Sequence, residues 1–269
     1  MPVTTWWSNG GEKLNLKICT YNLRMENPDD GINVFSNRAP FIKERLAEYA
    51  PDVIGFQEVR PHMRRWLEEN LPDYTIIGTG RGEDFLDESN VIAYRTDKFL
   101  TMALDTFWLS DTPYVPGSRY STDQSDCPRI CTCAVLLLRD TTKRLRVYNT
   151  HLDHVGNVAR VQGIEAILGR IAMDEQRYPG TQLVLMGDFN AEPDHMVMRA
   201  IAMEADNLVD TTRSIPYTFH NYEPEKMQAK IDYIFTNGPW IEESTVAFTD
   251  CRDGVYLSDH YPVMTEIIL

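Results

Sequence analysis

The sequence lacks long hydrophobic runs and has few cysteines. Its longest apolar stretches, 134–138 and 183–186, have the length of strands, far short of the roughly 18 apolar residues that a membrane-spanning helix needs. The five cysteines, an odd number, have neither zinc-finger nor disulfide-framework spacing, so we interpret them as reduced thiols. No basic segment followed by an apolar one occurs over 1–17. We therefore expect no membrane span, no secretion signal and a cytoplasmic location.

Positive charge is also scarce. The 26 Lys and Arg residues stand against 40 Asp and Glu residues, which gives a formal net charge of −14. Such a chain repels a polyanion at long range, which disfavours a protein that coats nucleic acid nonspecifically. Cleavage of nucleic acid is not excluded, because a carboxylate cluster that binds a divalent cation has its local field reversed by that cation.

The chain shows no Ser/Gly-rich linker and no repeat with a period of about 20 to 50 residues. At 269 residues, 43% of them hydrophobic, it is long enough to bury a sizeable core. We therefore predict a single domain over 16–269 after an N-terminal extension over 1–15, and we expect a monomer.

Short segments rich in β-branched and aromatic residues alternate with helical patterns. We predict strands over 16–21, 52–57, 74–77, 90–94, 131–138, 145–149, 182–186, 231–235 and 261–268. We predict helices over 41–50, 62–70 and 158–172. The irregular stretch 110–128 predicts a long ordered loop, a kind of segment that often shapes a substrate site.

Polar side chains border the predicted strands at their ends. They are Asn22, Glu58, Asn149, His151, Asp188, Asn190, Asp232, Asp259 and His260. If neighbouring strands run antiparallel, a group after one strand and a group before the next lie at the same edge of the sheet. The ends can then converge in one cleft. Their carboxylate and amide oxygens suit a hard cation such as Mg²⁺, with Glu58 as the best single ligand candidate.

The segment GDFNAEP, 187–193, is the strongest local motif. Gly187 permits a tight exit from the strand, Asp188 offers a base or a metal ligand, and Asn190 can hold a nucleophile or a phosphate oxygen. A calcium-loop interpretation fails, because Pro193 stands where that loop requires Gly and Arg199 where it requires a bidentate Glu.

The segment NTHLDH, 149–154, leaves a second interpretation open. Its His151, Asp153 and His154 resemble the HxHxDH zinc motif of metallo-β-lactamase-like hydrolases, but Asn149 replaces the first histidine. A zinc hydrolase built on these three residues is therefore one alternative function. The nearby Cys131 and Cys133 face the same side of a strand and are interpreted as small packing residues.

Six segments occur in the order found in the endonuclease/exonuclease/phosphatase superfamily, the deoxyribonuclease I-like enzymes. They are TYNLR, FQEV, NTHL, GDFN, IDYIF and SDHYPV. The chain resembles an uncharacterised bacterial branch of this superfamily. The resemblance implies an α+β fold, a four-layer α/β/β/α sandwich in which two mainly antiparallel sheets pack face to face with helices outside.

The resemblance also implies a divalent-metal-dependent phosphohydrolase, with a phosphodiesterase favoured. It implies Mg²⁺ or Mn²⁺ held by Asn22 and Glu58, with Asp259 as a further ligand. Asp188 and Asn190 match the residues that activate or orient the attacking water. The substrate is a phosphoester whose type the sequence does not specify, and nucleic acid is not favoured by the net charge.

The matched histidines complete this set. His151 and His260 match phosphate-contacting histidines, and Asp232 matches the acid that orients His260. The resemblance leaves open whether Asp188 or His260 takes the proton of the attacking water. The carboxylate of Asp232 would fix the tautomer of the His260 imidazole and raise its basicity, so that His260 could take the proton. A carboxylate on the metal side, Asp188, could take that proton instead.

Two further residues are assigned to substrate binding. Arg129 lies in the segment CPRICTCA and can reach a phosphate, and Asn149 opens NTHL. Abasic-site endonucleases usually carry an acidic residue where this chain has Arg24, which disfavours repair-type cleavage of DNA. A catalytically silent module that binds a phosphorylated ligand is the other alternative, although none of the matched positions is missing.

Overall fold

A computed structural model describes residues 13–269 of the chain. Most of the predicted extension over 1–15 therefore lies outside the described residues. Among the described residues, no helix is long and apolar enough to cross a membrane.

Strands and helices alternate along the described chain. The first part contains β1 (Asn15–Asn22), a 3-10 helix (Pro28–Asn33), α1 (Phe35–Tyr49), β2 (Val53–Gln57), α2 (Pro61–Asn70), β3 (Tyr74–Ile77) and β4 (Ile92–Arg95). The middle part contains β5 (Phe99–Trp108), β6 (Ile130–Leu138), β7 (Arg144–His151), α3 (Asn157–Arg177), β8 (Gln182–Asp188) and α4 (Met196–Glu204). The last part contains β9 (Val209–Asp210), β10 (Asp232–Thr236), β11 (Trp240–Ala247), β12 (Cys251–Arg252), β13 (Val255–Tyr256) and β14 (Val263–Ile268).

The long strands form two six-stranded sheets with the orders β11-β14-β1-β2-β4-β3 and β5-β6-β7-β8-β10-β9. Each sheet contains one parallel pair, β1 with β2 and β7 with β8, while its other neighbours run antiparallel. The prediction of two mainly antiparallel sheets is confirmed. Parallel neighbours end at the same edge of a sheet, so the residues after β1 and β2 meet, as do those at the ends of β7 and β8.

Three apolar clusters define four layers. One packs α1 and α2 against the first sheet, one packs α3 and α4 against the second, and the third lies between the sheets. Alternation along β8 shows how one strand serves two layers: Leu183 and Leu185 face the helices, whereas Val184 and Met186 face the other sheet. The predicted four-layer sandwich is confirmed.

All five cysteines are free in the structure, as expected. Cys131 and Cys133 are buried in the cluster beneath α3, which confirms their interpretation as packing residues. The stretch 109–129 between β5 and β6 has neither helix nor strand, in agreement with the predicted loop.

Some elements differ from their predicted extents. α1 begins at Phe35, six residues earlier than predicted, and carries Pro40 inside it, where a proline normally argues for a helix boundary. The predictions missed the edge strands β5 and β11 and the helix α4. On the edge strand β5, Leu100 and Met102 are exposed, so the burial pattern of an internal strand is absent.

Candidate active site

The strand register assembles the site at one edge of the sandwich. His151 on β7 pairs directly with Asp188 on β8, and Asp188 pairs with Asp232 on β10. In the other sheet, Asn22 ends β1 beside Gln57 of β2, the residue before Glu58. Side chains that are distant in sequence are therefore adjacent because their strands end together.

Asn22 links the two sheets. Its Nδ2 atom donates to Oε1 of Glu58 at 3.0 Å and to Oδ2 of Asp188 at 3.0 Å. Glu58 has a left-handed backbone, with φ of 61°, and its Oε2 accepts from the N–H of Met25 at 2.9 Å. Burial alone would raise the pKa of Glu58, but the hydrogen bonds from Met25 and Asn22, together with the positive charges of His260 and Arg24, lower that pKa. Glu58 is therefore an ionised carboxylate near neutral pH.

The Oδ2 atom of Asp188 lies close to two imidazoles. It lies 3.4 Å from Nε2 of His151 and 3.8 Å from Nε2 of His260. Burial, together with the neighbouring Asp232 carboxylate, raises the pKa of Asp188 to about 7. The N–H of Asn190 donates to Oδ1 of Asp188 at 2.9 Å, which fixes the carboxylate from the other side. Asp188 can therefore exchange a proton near neutral pH.

The two histidines differ in charge state. Burial would lower the pKa of His260, but the carboxylates of Asp232 and Asp188 outweigh it and raise that pKa to about 10. Burial and then the positive charge of Arg129 hold the pKa of His151 well below its usual range. Near neutral pH, His260 is cationic and His151 is neutral.

Thr218 and His260 hold the same oxygen of Asp232. The hydroxyl of Thr218 donates to Oδ2 of Asp232 at 2.6 Å, and the same oxygen lies 2.8 Å from Nδ1 of His260. Among the described residues, Oδ1 of Asp232 is buried without a hydrogen-bond partner. The carboxylate therefore has one unused acceptor.

A cavity of about 410 Å³ opens over these groups. The side chains that line it include Glu58, Asp259, His151, Asn190, His260 and Arg129. Near Glu58, the Nε atom of Arg24 lies 3.5 Å from Oδ2 of Asp259. Burial and the charge of Glu58 raise the pKa of Asp259, although His260 opposes them. Two acidic side chains thus face each other on the Arg24 side of the cavity.

The donor set fits a hard divalent cation. Buried carboxylates that raise one another's pKa values are a recurrent arrangement at sites where a cation neutralises them. Glu58 and Asp259 line the cavity and supply carboxylate oxygens. Asp188, Asp232 and His260 also bring ligand atoms within 4.8 Å of one another, but protonated His260 has no nitrogen lone pair to offer a cation. Oxygen ligands of this kind suit Mg²⁺ or Mn²⁺.

The sequence placed Asn149 in substrate binding, but its side chain lies between the sheets. Its Nδ2 donates to the carbonyls of Phe56 and Val91, both at 2.9 Å, and its Oδ1 accepts from Gln57 at 2.7 Å. Asn149 is fully buried and does not line the cavity. Its side chain joins the two sheets through these hydrogen bonds.

The alternative zinc triad is not assembled. Among residues 13–269, His151, Asp153 and His154 do not form a group whose ligand atoms come together. The carboxylate of Asp153 accepts from the N–H groups of Ser125 and Gly156 and from the hydroxyl of Ser125. The imidazole of His154 points its Nδ1 at Arg129, 2.8 Å from Nη2. The interpretation of NTHLDH as a zinc motif is therefore wrong.

The cavity residues that the sequence analysis missed include Arg81, Glu88 and Phe219. Arg81 and Glu88 pair with each other at 3.0 Å in the stretch between β3 and β4. The ring of Phe219 packs on the imidazole of His260 with 4.9 Å between centroids. None of them follows a recognisable motif or a long strand, so no sequence signal marked them.

The family model described as the endonuclease/exonuclease/phosphatase family matches residues 19–260. The chain belongs to this family. Family membership supports phosphoester hydrolysis as the general class of reaction, and enzymes of the family commonly use divalent metals.

Two solved structures resemble the chain over nearly its whole length. An endonuclease/exonuclease/phosphatase from Bacteroides vulgatus is 28% identical, with a TM-score of 0.84 and coverage of 95% of this chain and 99% of that one. A mannosyl-6-phosphatase from Bacteroides thetaiotaomicron is also 28% identical, with a TM-score of 0.81 and coverage of 94% and 99%. Among curated proteins, an uncharacterised protein of Acanthamoeba polyphaga mimivirus is 27% identical over 59% of this chain and 60% of its own length. The chain therefore spans less than two thirds of that viral relative.

Proposed function

We propose that the protein is a divalent-metal-dependent phosphoesterase that cleaves its substrate by in-line attack of water, with a phosphodiester as the favoured substrate. The observation that carries the proposal is the arrangement around Oδ2 of Asp188, which is bonded to Asn22 and lies within 4 Å of both His151 and His260. A carboxylate, a cationic imidazole and a neutral imidazole thus surround one point beneath the cavity.

Asp188 is the general base of the proposed reaction. A base works best when its pKa lies near the working pH, and the pKa of Asp188, raised by burial and Asp232, is about 7. His260 has a pKa raised to about 10, so it already holds a proton and cannot accept another. The proton of the attacking water therefore passes to Asp188 as the new phosphorus–oxygen bond forms and the bond to the leaving oxygen breaks.

His260 and His151 serve the phosphate instead. Cationic His260 balances the charge that develops on the phosphoryl oxygens, and neutral His151 can donate a hydrogen bond without adding charge. Asn190 lines the cavity and is anchored by its bond from Nδ2 to the carbonyl of Leu152 at 3.0 Å. Its amide is thereby placed to orient the attacking water or a phosphoryl oxygen.

Glu58 and Asp259 would hold Mg²⁺ or Mn²⁺, with Asn22 as the third proposed ligand. Asn22 directs its Nδ2 at Glu58, and its Oδ1 accepts from the N–H of Arg24 at 2.9 Å, so its amide group would have to turn over to offer its oxygen to the cation. When bound there, the cation would polarise a phosphoryl oxygen and stabilise the leaving oxygen. The chain's own contribution is to keep Glu58 ionised through Met25 and Asn22, and to hold Asp259 between Ser258, which donates at 3.1 Å, and Arg24.

A phosphomonoester is the second candidate substrate. The similarity to the mannosyl-6-phosphatase over 94% of this chain supports it, because a phosphatase removes a terminal phosphate. The catalytic groups described above act on phosphorus in either case. The difference lies in what surrounds the scissile phosphate.

Hydrolysis of two chromogenic esters tests the proposal. We expect wild-type protein to hydrolyse bis-p-nitrophenyl phosphate faster than p-nitrophenyl phosphate with Mg²⁺ or Mn²⁺, and neither ester in EDTA. Glu58→Gln should lose this activity, whereas Glu68→Gln, a change on the exposed face of α2, should keep it. The reverse ester preference would favour the monoesterase. Binding of phosphorylated ligands without turnover with any metal would favour the catalytically silent module.

A further inference from the structure

Arg129 is a buried cation with unused hydrogen-bond donors. Its side chain is 5% exposed and lines the cavity. Among the described residues, its Nη1 and Nε atoms are buried without a hydrogen-bond partner. Its Nη2 lies 2.8 Å from Nδ1 of His154, and its Nε makes an ion pair with Asp153 at 3.5 Å. Buried polar groups are nearly always hydrogen-bonded, and a guanidinium keeps its charge at all accessible pH values, so these donors indicate an anionic ligand.

Asp153 fixes the guanidinium in place. The loop before β6 and the turn before α3 both donate to its carboxylate, from N–H of Ser125 at 3.1 Å and from N–H of Gly156 at 2.7 Å. Asp153 is 2% exposed in its side chain. Arg129 is therefore oriented before any ligand arrives, which reduces the entropy lost on binding.

A second arginine lines the same cavity. Arg81 is paired with Glu88 at 3.0 Å and with Asp87 at 3.1 Å, so its charge is balanced by two carboxylates. Arg129 and Arg81 both lower the pKa of His151, behind the larger effect of burial. Arg129, in contrast, has one carboxylate partner, Asp153, and keeps donors that no described residue uses.

Arg129 lies at the same edge of the sheet as Asp188. Arg129 directly precedes β6, and Asp188 ends β8, two strands away across β7. Neighbouring strands are about 4.8 Å apart, which places the two backbones roughly 10 Å from each other. His151 at the end of β7 lies between them. Asp153 and His154 hold the guanidinium of Arg129, whereas His151 and His260 are the imidazoles beside Asp188. A phosphoryl group bound at Asp188 and His260 would therefore leave Arg129 for a different group.

We infer that Arg129, with His154 beside it, forms a second anion subsite, and that the substrate carries a second phosphate beside the scissile phosphoester. This inference rests on the proposed function, because it takes the scissile group to lie at Asp188. Nη1 of Arg129 offers two N–H donors to that phosphate, and its fixed charge adds to each bond. The second phosphate would thus select substrates without taking part in the bond that breaks.

Binding to the full-length protein in EDTA tests the inference without turnover. The matched ligands are thymidine 5′-monophosphate and thymidine 3′,5′-bisphosphate, which differ by one phosphate, and calorimetry gives the dissociation constants. We expect wild-type protein to bind the bisphosphate about 10- to 100-fold more tightly. Arg129→Met should remove this preference and leave affinity for the monophosphate within about threefold. Arg65→Met, a change at an exposed arginine of α2, should alter neither affinity.

A second measurement does not depend on the folding of an Arg129 variant. Cys127 lines the same cavity, and Cys251 is an exposed thiol that Cys251→Ser removes. In that background, the bisphosphate should slow alkylation of Cys127 by iodoacetamide more than the monophosphate does at equal concentration.

Three results would overturn the inference. Equal binding of both ligands by the wild type, or no detectable binding of the bisphosphate, removes the second subsite. Equal weakening of both ligands by Arg129→Met would place Arg129 at the scissile phosphate. In each case the proposed phosphoesterase stands or falls separately, because it is tested by hydrolysis of bis-p-nitrophenyl phosphate with metal.

Discussion

The Nδ1 atom of His260 lies 2.8 Å from Oδ2 of Asp232, and both side chains are buried at the edge where β10 begins. The Asp232 carboxylate orients the imidazole and outweighs the effect of burial on its charge, so that the pKa of His260 rises to about 10. This pair keeps His260 cationic over the pH range in which Asp188 titrates. The proposed roles of Asp188 as the base and of His260 as the cation depend on this pair.

Asp232→Asn should therefore lower kcat by roughly 10²- to 10⁴-fold. The amide has nearly the same shape but lacks the negative charge, so His260 should lose its proton at a lower pH. The alkaline limb of the pH profile of kcat, measured from pH 5 to 10, should move to lower pH. Asp105→Asn, which removes a carboxylate paired with Arg170 away from the site, is the control and should leave the profile unchanged. An unchanged alkaline limb in Asp232→Asn would separate Asp232 from His260.

Metal binding should depend on Asp259 as well as on Glu58. Asp259→Asn should raise the dissociation constant for Mn²⁺ by at least about tenfold, because it removes a charged oxygen from the proposed ligand set. Calorimetric titration after EDTA treatment and dialysis measures this directly. Asp97→Asn, at a surface turn, is the matched control. Equal Mn²⁺ affinity in Asp259→Asn and the wild type would remove Asp259 from the metal site.

Asn149 should contribute to stability rather than to substrate affinity. Asn149→Ala removes a buried donor from the carbonyls of Phe56 and Val91 and a buried acceptor from the amide of Gln57. We expect the free energy of unfolding in urea to fall by roughly 2 to 4 kcal/mol. The KM of the folded enzyme should change by less than about threefold. A large rise in KM with unchanged stability would return Asn149 to substrate binding.

His220 should make stability depend on pH under mildly acidic conditions. It is fully buried against Tyr261, with 4.1 Å between ring centroids, and burial, aided by His260, lowers its pKa to about 4. The unfolded chain takes up this proton near pH 6.5, so the unfolded state binds more protons between pH 6.5 and 4. The free energy of unfolding is therefore expected to fall as the pH decreases through that window.

Urea titrations at half-unit steps from pH 4 to 7.5 measure this effect. His220→Phe keeps an aromatic ring in the same position and removes the titrating group, so its stability should depend less on pH in this window. The same slope in the wild type and in His220→Phe would assign the acid sensitivity to other groups.

Much of the site could be predicted because it lies where apolar strands end. At Asn22, Glu58 and Asp188 the sequence changes from buried strand residues to polar ones, and the register then brings their side chains together. The four-layer fold followed from the same alternation of strands and helices, together with the resemblance to a family. Strand ends and the alternation of strands and helices are visible in short segments of a sequence.

Asn149 shows where such reasoning stops. Like Asn22, it follows a tyrosine in a strand, but β7 continues for two more residues to His151. The pleat then turns Asn149 toward the other sheet, while Tyr148 faces the helices. Asn22 ends its strand and lies at the site, whereas Asn149 comes two residues before the end of its strand and lies between the sheets.

Arg81 could not be predicted for a different reason. It lies in an irregular stretch between β3 and β4, and it reaches the cavity because Glu88 and Asp87 hold it there. The edge strand β5 was missed because its exposed Leu100 and Met102 give no burial pattern. Long-range pairing and edge position are properties of the folded chain, and no short segment encodes them.

The turnover number of Asp188→Asn on bis-p-nitrophenyl phosphate, measured with saturating Mg²⁺ beside the wild type, tests the central claim most directly. The site assigns the water proton to this carboxylate, so kcat should fall by roughly 10²- to 10⁴-fold. The variant should remain folded, since the change removes a carboxylate whose charged form is already disfavoured by burial and by Asp232. A folded Asp188→Asn protein that keeps kcat within about threefold of the wild type would contradict the account.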